Sequence, residues 1–126
     1  MEDPDLTGRT IFLAEDEHIV AKSLARLLRS WGATIIGPAP TLETALILAR
    51  SAERIDAAIV DINLRGEMAF PLADVLLARE ALLVFTTGYD SAAIPDAYRS
   101  ARILQKPYAP DEITTVLLPL AAPPSD

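Results

Sequence analysis

Two adjacent acids at 15 and 16, an aspartate at 61, hydroxyls at 86 and 87 and a lysine at 106 are the residues whose types and spacing could do chemistry. Each follows directly on a short apolar run. Glu15 and Asp16 follow Thr10 to Ala14, and Asp61 follows Asp56 to Val60. Thr86 and Thr87 follow Leu82 to Phe85, and Lys106 follows Arg102 to Gln105. Three carboxylates brought together repel one another unless a cation or protons neutralise them. The donors are all oxygen and the chain has no cysteine, so the fitting cation is hard. Mg²⁺ leads, because it takes few carboxylates and leaves positions open for phosphate oxygens. A lysine and a hydroxyl nearby would stabilise charge on those oxygens during in-line transfer. Asp61 could then act as the nucleophile and form an acyl phosphate. For any one of these acids alone the plainer reading is a solvated side chain; the convergence of four groups is what argues for a site.

The elements that must position these groups alternate short apolar runs with helical ones, the pattern of a parallel α/β sheet. After the first run, Ile19, Val20, Leu24, Leu27, Leu28 and Trp31 recur at helical spacing and Gly32 stops them. A second strand is expected from Ala33 to Ile36, ended by Gly37-Pro38. A second helix follows from Pro40-Thr41, with Leu42, Ala45, Leu46 and Ala49 on one face. The run DAAIV at 56–60 suits a central strand buried on both faces. Pro71 to Arg79 reads as a third helix with Pro in its first turn. The segment 90–101 has no clean apolar period and contains Pro95, so a fourth helix there is expected to be short or weak. Pro110, with Asp111 and Glu112 behind it, opens the last helix, which Pro119 ends. Five strands joined by helices make an open doubly wound sheet, in which ligands bind beyond the C-terminal strand ends. The acids, Asp61, the threonines and Lys106 all fall on that rim.

The chain has 126 residues, room for one domain: a core over about 9–118 and a loose tail at 119–126. A net charge of −7 argues against a nucleic-acid partner. The acidic start lacks the features of a secretory signal. The most apolar stretch, 69–85, is broken by Asp74, Arg79 and Glu80, so no membrane span is expected and the default location is the cytoplasm.

AEDE at 14–17, IVDINLRG at 59–66, FTTGYD at 85–90 and LQKPY at 104–108, in this order and at these spacings, resemble the receiver domains of two-component response regulators. The resemblance runs from about Arg9 to Leu118. It implies a flavodoxin-like sheet of strand order 2-1-3-4-5 with helices on both faces. It makes Asp61 the phosphoacceptor, Asp16 a direct Mg²⁺ ligand, Glu15 a ligand through water and the backbone carbonyl of Asn63 a further ligand. It selects Thr87 over Thr86 as the hydroxyl that contacts the phosphoryl group, and Lys106 as the lysine that pairs with it, with a cis Lys106-Pro107 bond. Its implied activity is that of a switch phosphorylated by a histidine kinase, which catalyses its own phosphorylation and dephosphorylation without being an enzyme toward other substrates. Output would pass through a protein partner, or the domain would act as a phosphate sink.

One position departs from the family. Where receivers carry Tyr or Phe three residues before the lysine, this chain has Ile103. With FTTGY at 85–89 this resembles the FAT GUY class of single-domain receivers, although that class has Pro, Phe and Ala where this chain has Leu82, Leu83 and Thr86. The class implies a kinase of the HWE type, and Tyr89 or the segment after it is the candidate replacement for the missing aromatic. Two other readings remain: a pseudo-receiver that binds partners without phosphorylation, and a Mg²⁺-dependent phosphohydrolase. The second lacks a general acid two residues after Asp61, where Asn63 stands, and a cap insertion. His18 and Arg65 near the acids read as solvated, Trp31 as packing, and Glu17 as flanking the first helix.

Overall fold

The computed structural model describes residues 3–88 and 94–121. Its elements run β1 (Thr10–Ala14), α1 (His18–Ser30), β2 (Thr34–Ala39), α2 (Leu42–Ser51) and β3 (Ala57–Asp61). The two-residue strands β4 (Asn63–Leu64) and β5 (Glu67–Met68) follow, then α3 (Phe70–Ala78), β6 (Leu82–Thr87), β7 (Arg102–Gln105) and α4 (Pro110–Val116). Five strands form one sheet in the order β2-β1-β3-β6-β7, every pair parallel. β4 and β5 make a separate antiparallel ribbon. β6 and β7 are therefore the fourth and fifth strands of the sheet, and the expected order holds.

Alternation along each strand sends side chains to two cores. Phe12, Ala14, Val60, Leu83 and Phe85 meet α2 and α3 through Ala45, Ala49, Leu72 and Leu76. Ile11, Leu13, Ile59, Val84 and Leu104 meet α1 and α4 through Leu24, Leu28 and Ile113. The central strand β3 is buried along its whole length, which is why its sequence is an unbroken apolar run up to Asp61. Local signals fix the helix ends. The Thr41 side chain accepts the Thr44 N–H at the start of α2, and Pro71 and Pro110 sit in the first turns of α3 and α4. At Gly32, which follows α1, φ is 99°, and a Cβ there would lie 2.6 Å from Thr7 Oγ1.

Three details differ from the sequence expectation and one agrees with it. β2 does not end at Ile36 but continues through a cis Gly37-Pro38 bond to Ala39. It lies at the sheet edge, where the missing proline N–H removes no ladder bond on the open side. The β4–β5 ribbon was not foreseen. In the 94–101 stretch the described chain forms only a 3-10 turn, Asp96–Tyr98, consistent with a short or weak element. At the other end, Leu118–Leu120 forms a 3-10 turn whose Leu120 carbonyl accepts from Arg9 Nε at 2.9 Å, so the packed chain runs past 118 into the expected tail. No helix among the described residues is long and apolar enough to cross a membrane.

Candidate functional site

The C-terminal ends of β1, β3, β6 and β7 bring the singled-out residues to one rim. Asp61 is the last residue of β3 and 8% exposed; Glu15, one step past β1, is 4% exposed. The edge-strand extension positions Glu15 directly, since its N–H donates to the Ala39 carbonyl at 3.0 Å. Carboxylate oxygens of Glu15, Asp16 and Asp61 lie within 4.8 Å of one another. Lys106, at the end of β7, places Nζ 2.7 Å from Glu15 Oε1 and 2.8 Å from Asp61 Oδ2. The Lys106-Pro107 bond is cis.

Backbone donors hold the acids in place. Asn63 N–H donates to Asp61 Oδ1 at 3.1 Å, and Glu17 N–H to Glu15 Oε2 at 3.1 Å. The turn of the β4–β5 ribbon is built from Arg65 at φ 51° and Gly66 at φ 89°, with Gly66 N–H donating to Asn63 Oδ1 at 2.7 Å. That turn brings Arg65 N–H to Asp16 Oδ2 at 2.9 Å. A ribbon too short to show any periodicity thus orients two of the three carboxylates.

Protonation follows from this packing. Burial pushes Glu15 up from its ordinary 4.5 to about 7, against the pull of Lys106 and the Glu17 N–H. For Asp16 burial acts upward, but the Arg65 N–H and its other hydrogen bonds outweigh it and hold the carboxyl below the usual range. Burial alone would lower Lys106; its bonds to Asp61 and Glu15 prevail and keep it protonated well above its ordinary value.

Thr86 and Thr87 are both buried at the end of β6. Thr86 is in register with Asp61, and its carbonyl accepts from Ile62 N–H at 3.0 Å. Thr87 stands one residue nearer the rim, and its carbonyl accepts from Lys106 N–H at 2.8 Å. Ile103 lies away from the acids on β7, 38% exposed and in register with Phe85. Tyr89 lies outside the described residues. His18 is exposed and Trp31 is buried, as read from sequence.

Three participants were missed. Glu17 precedes α1 but makes no side-chain cap; its Oε1 lies 3.4 Å from Lys106 Nζ. The Tyr108 hydroxyl is buried without a hydrogen-bond partner among the described residues. Burial, and then Glu15, push it up to about 12. Tyr98 stacks on Phe70 at 5.1 Å, meets Phe85 edge-on at 6.1 Å and donates to Asp74 Oδ1 at 2.8 Å. Only the aromatic following Lys106-Pro107 carried a sequence signal, in its fixed distance from the lysine.

Similarity to known proteins agrees with this geometry. SdrG from Sphingomonas melonis Fr1 is 34% identical over 91% of this chain and 97% of its own, with a TM-score of 0.75. The chain belongs to the receiver domains of response regulators. The receiver domain of the hybrid histidine kinase CckA is 28% identical over 90% of this receiver and 98% of its own length, at a TM-score of 0.71. A response regulator receiver protein from Sinorhizobium medicae WSM419, at 22% identity and a TM-score of 0.75, shares the fold. No family model and no curated protein sequence matches the receiver.

The donor set of this receiver fits a divalent cation. One carboxylate oxygen from each of Glu15, Asp16 and Asp61 lies within 4.8 Å of the other two, and a single lysine leaves the cluster net negative.

Proposed function

We propose that this receiver accepts a phosphoryl group on Asp61 from a histidine kinase and passes the signal to a protein partner or drains the kinase as a phosphate sink. The observation that carries this reading is Lys106 Nζ bridging Glu15 and Asp61 beside the three-carboxylate cluster. Asp61 Oδ1 is committed to the Asn63 N–H and Oδ2 to Lys106, so the carboxylate is aimed before any donor arrives. An oxygen of Asp61 attacks phosphorus, the bond from phosphorus to the donor's leaving atom breaks, and the leaving group departs with that electron pair. Lys106, held protonated, then turns its charge from carboxylate to phosphoryl oxygen. Thr87 is the hydroxyl assigned to a phosphoryl oxygen. Mg²⁺ held by Glu15, Asp16, Asp61 and the Asn63 carbonyl would supply positive charge to the same oxygens. With Ile103 in place of an aromatic and FTTGY at 85–89, the resemblance to the FAT GUY class favours an HWE-type kinase as donor.

Intact-mass measurement after acetyl phosphate and Mg²⁺ tests the reading. One added phosphoryl group on the wild type and none on Asp61→Asn supports it. An unmodified wild type would favour the pseudo-receiver, and steady turnover of unrelated phosphate esters the phosphohydrolase.

A further inference from the structure

Beside the carboxylate cluster, α1 and the β2–α2 turn enclose a cleft of about 370 Å³, within the range of small-molecule sites. One face of α1 forms the long wall: Ala21 and Ala25 leave the space, and Lys22 and Arg29 stand exposed at its edge. Pro38 and Pro40 form the opposite wall, apolar and without N–H groups. Arg65 lines the acidic end, where its backbone holds Asp16 from a positive φ that non-glycine residues seldom adopt.

The cleft gathers three of the chain's basic residues. There are 18 acids against 11 lysines and arginines, and Arg9, Arg54, Arg99 and Lys106 are all ion-paired. Lys22, Arg29 and Arg65 gather around one concavity, and none of the three forms a salt bridge with a described residue. Glu15 and Asp16 line the same cleft, so its positive potential is confined to the wall that carries Lys22 and Arg29. We propose that the cleft binds a small organic phosphate. Its phosphate lies against Lys22 and Arg29, through the charge-assisted bonds that guanidinium and ammonium groups make. A flat apolar body fits between the alanines and prolines. Glu15 and Asp16 set the polarity by repelling the anionic head toward Arg29.

The test uses the ¹⁵N-labelled full chain in EDTA, titrated separately with phenyl phosphate, inorganic phosphate, phenol and a Glu-rich peptide. Phenyl phosphate should give saturable shifts at residues 21–29 and 37–40. It should bind about tenfold or more tighter than inorganic phosphate, because the ring buries apolar area that phosphate lacks, and phenol should not bind. K22E/R29E should weaken phenyl phosphate about tenfold or more while its spectrum elsewhere matches the wild type. Absent or non-saturating shifts overturn the proposal, as do shifts centred on 61 and 106 or shifts unchanged by the double substitution. Equal affinity for inorganic phosphate removes the organic body, and tighter binding of the peptide replaces the small molecule; either result also overturns it.

Discussion

At the scale of single residues, Lys106 and Glu15 hold the site's balance. Lys106 neutralises part of the charge that would otherwise bind a cation, and it also supplies charge to an incoming phosphoryl group. Lys106→Ala should therefore move two readouts in opposite directions. Mg²⁺ should bind more tightly, because a competing positive charge 2.7 Å from Glu15 is gone. Phosphorylation by acetyl phosphate should slow about a hundredfold, the usual cost of one electrostatic contact made to the transition state. A calorimetric titration and a mass time course check the pair. Glu15 sets the pH response. Its folded pKa of about 7 lies above its ordinary 4.5, so in EDTA its contribution to stability is full below about 4.5 and is lost as pH rises through about 7. Metal binding has the opposite sign, since the ion needs the carboxylate. Below pH 7 each unit of acidification should weaken Mg²⁺ about tenfold, and Glu15→Gln should flatten both profiles. These groups were legible in the sequence because the acids, Asp61, the threonines and Lys106 each end an apolar run. Glu17 was not, because nothing local marks a helix-flanking acid that folds back onto a lysine 89 positions away.

At the scale of elements, long periodic segments were readable and short ones were not. The five sheet strands, the short β7 included, and α1 to α4 fall within a few residues of their expected bounds. The β4–β5 ribbon has two residues per strand, too few for any period, yet its turn fixes Asp16 and Asp61. β2 carries a proline, which reads as a strand end unless the strand is known to lie at an edge, and edge position is a tertiary fact. The 94–101 stretch shows the same limit. It has no amphipathic pattern, and its buried side chain is Tyr98, held by Phe70, Phe85 and Asp74, with Ile94 and Ala101 packed against the same core. Tyr98→Phe keeps the rings and removes the hydroxyl. It should cost about 0.5–1.5 kcal/mol and raise amide exchange within 94–101, leaving β1 and β3 protected. Exchange that rises evenly over the whole sheet, or nowhere, would show that the Asp74 bond does not anchor this segment.

At the scale of the whole molecule, the fold gathers three carboxylates at one end of a sheet whose two faces pack against apolar cores. The two cores carry the stability, and the rim opposes it. Glu15, Asp16 and Asp61 converge within 4.8 Å in a chain already at −7, with Lys106 the one cation bridging Glu15 and Asp61 among the described residues. A divalent ion at that rim would bind the folded chain and not the unfolded one, where the three acids are 46 positions apart in sequence at their widest. Linkage then makes Mg²⁺ a stabiliser by about 2.7 kcal/mol at a hundred times its dissociation constant. For a domain of this length that is a rise in Tm on the order of 10 °C. The rise should follow the ion and not the ionic strength: NaCl at matched ionic strength should reproduce little of it, and Asp16→Asn should remove most of it. Mn²⁺, which takes the same oxygen ligands, should replace Mg²⁺ in the same melts. A wild-type Tm that responds equally to NaCl and MgCl₂ would mean that the carboxylates meet without forming a metal site, and the phosphoacceptor reading of Asp61 would lose its electrostatic basis.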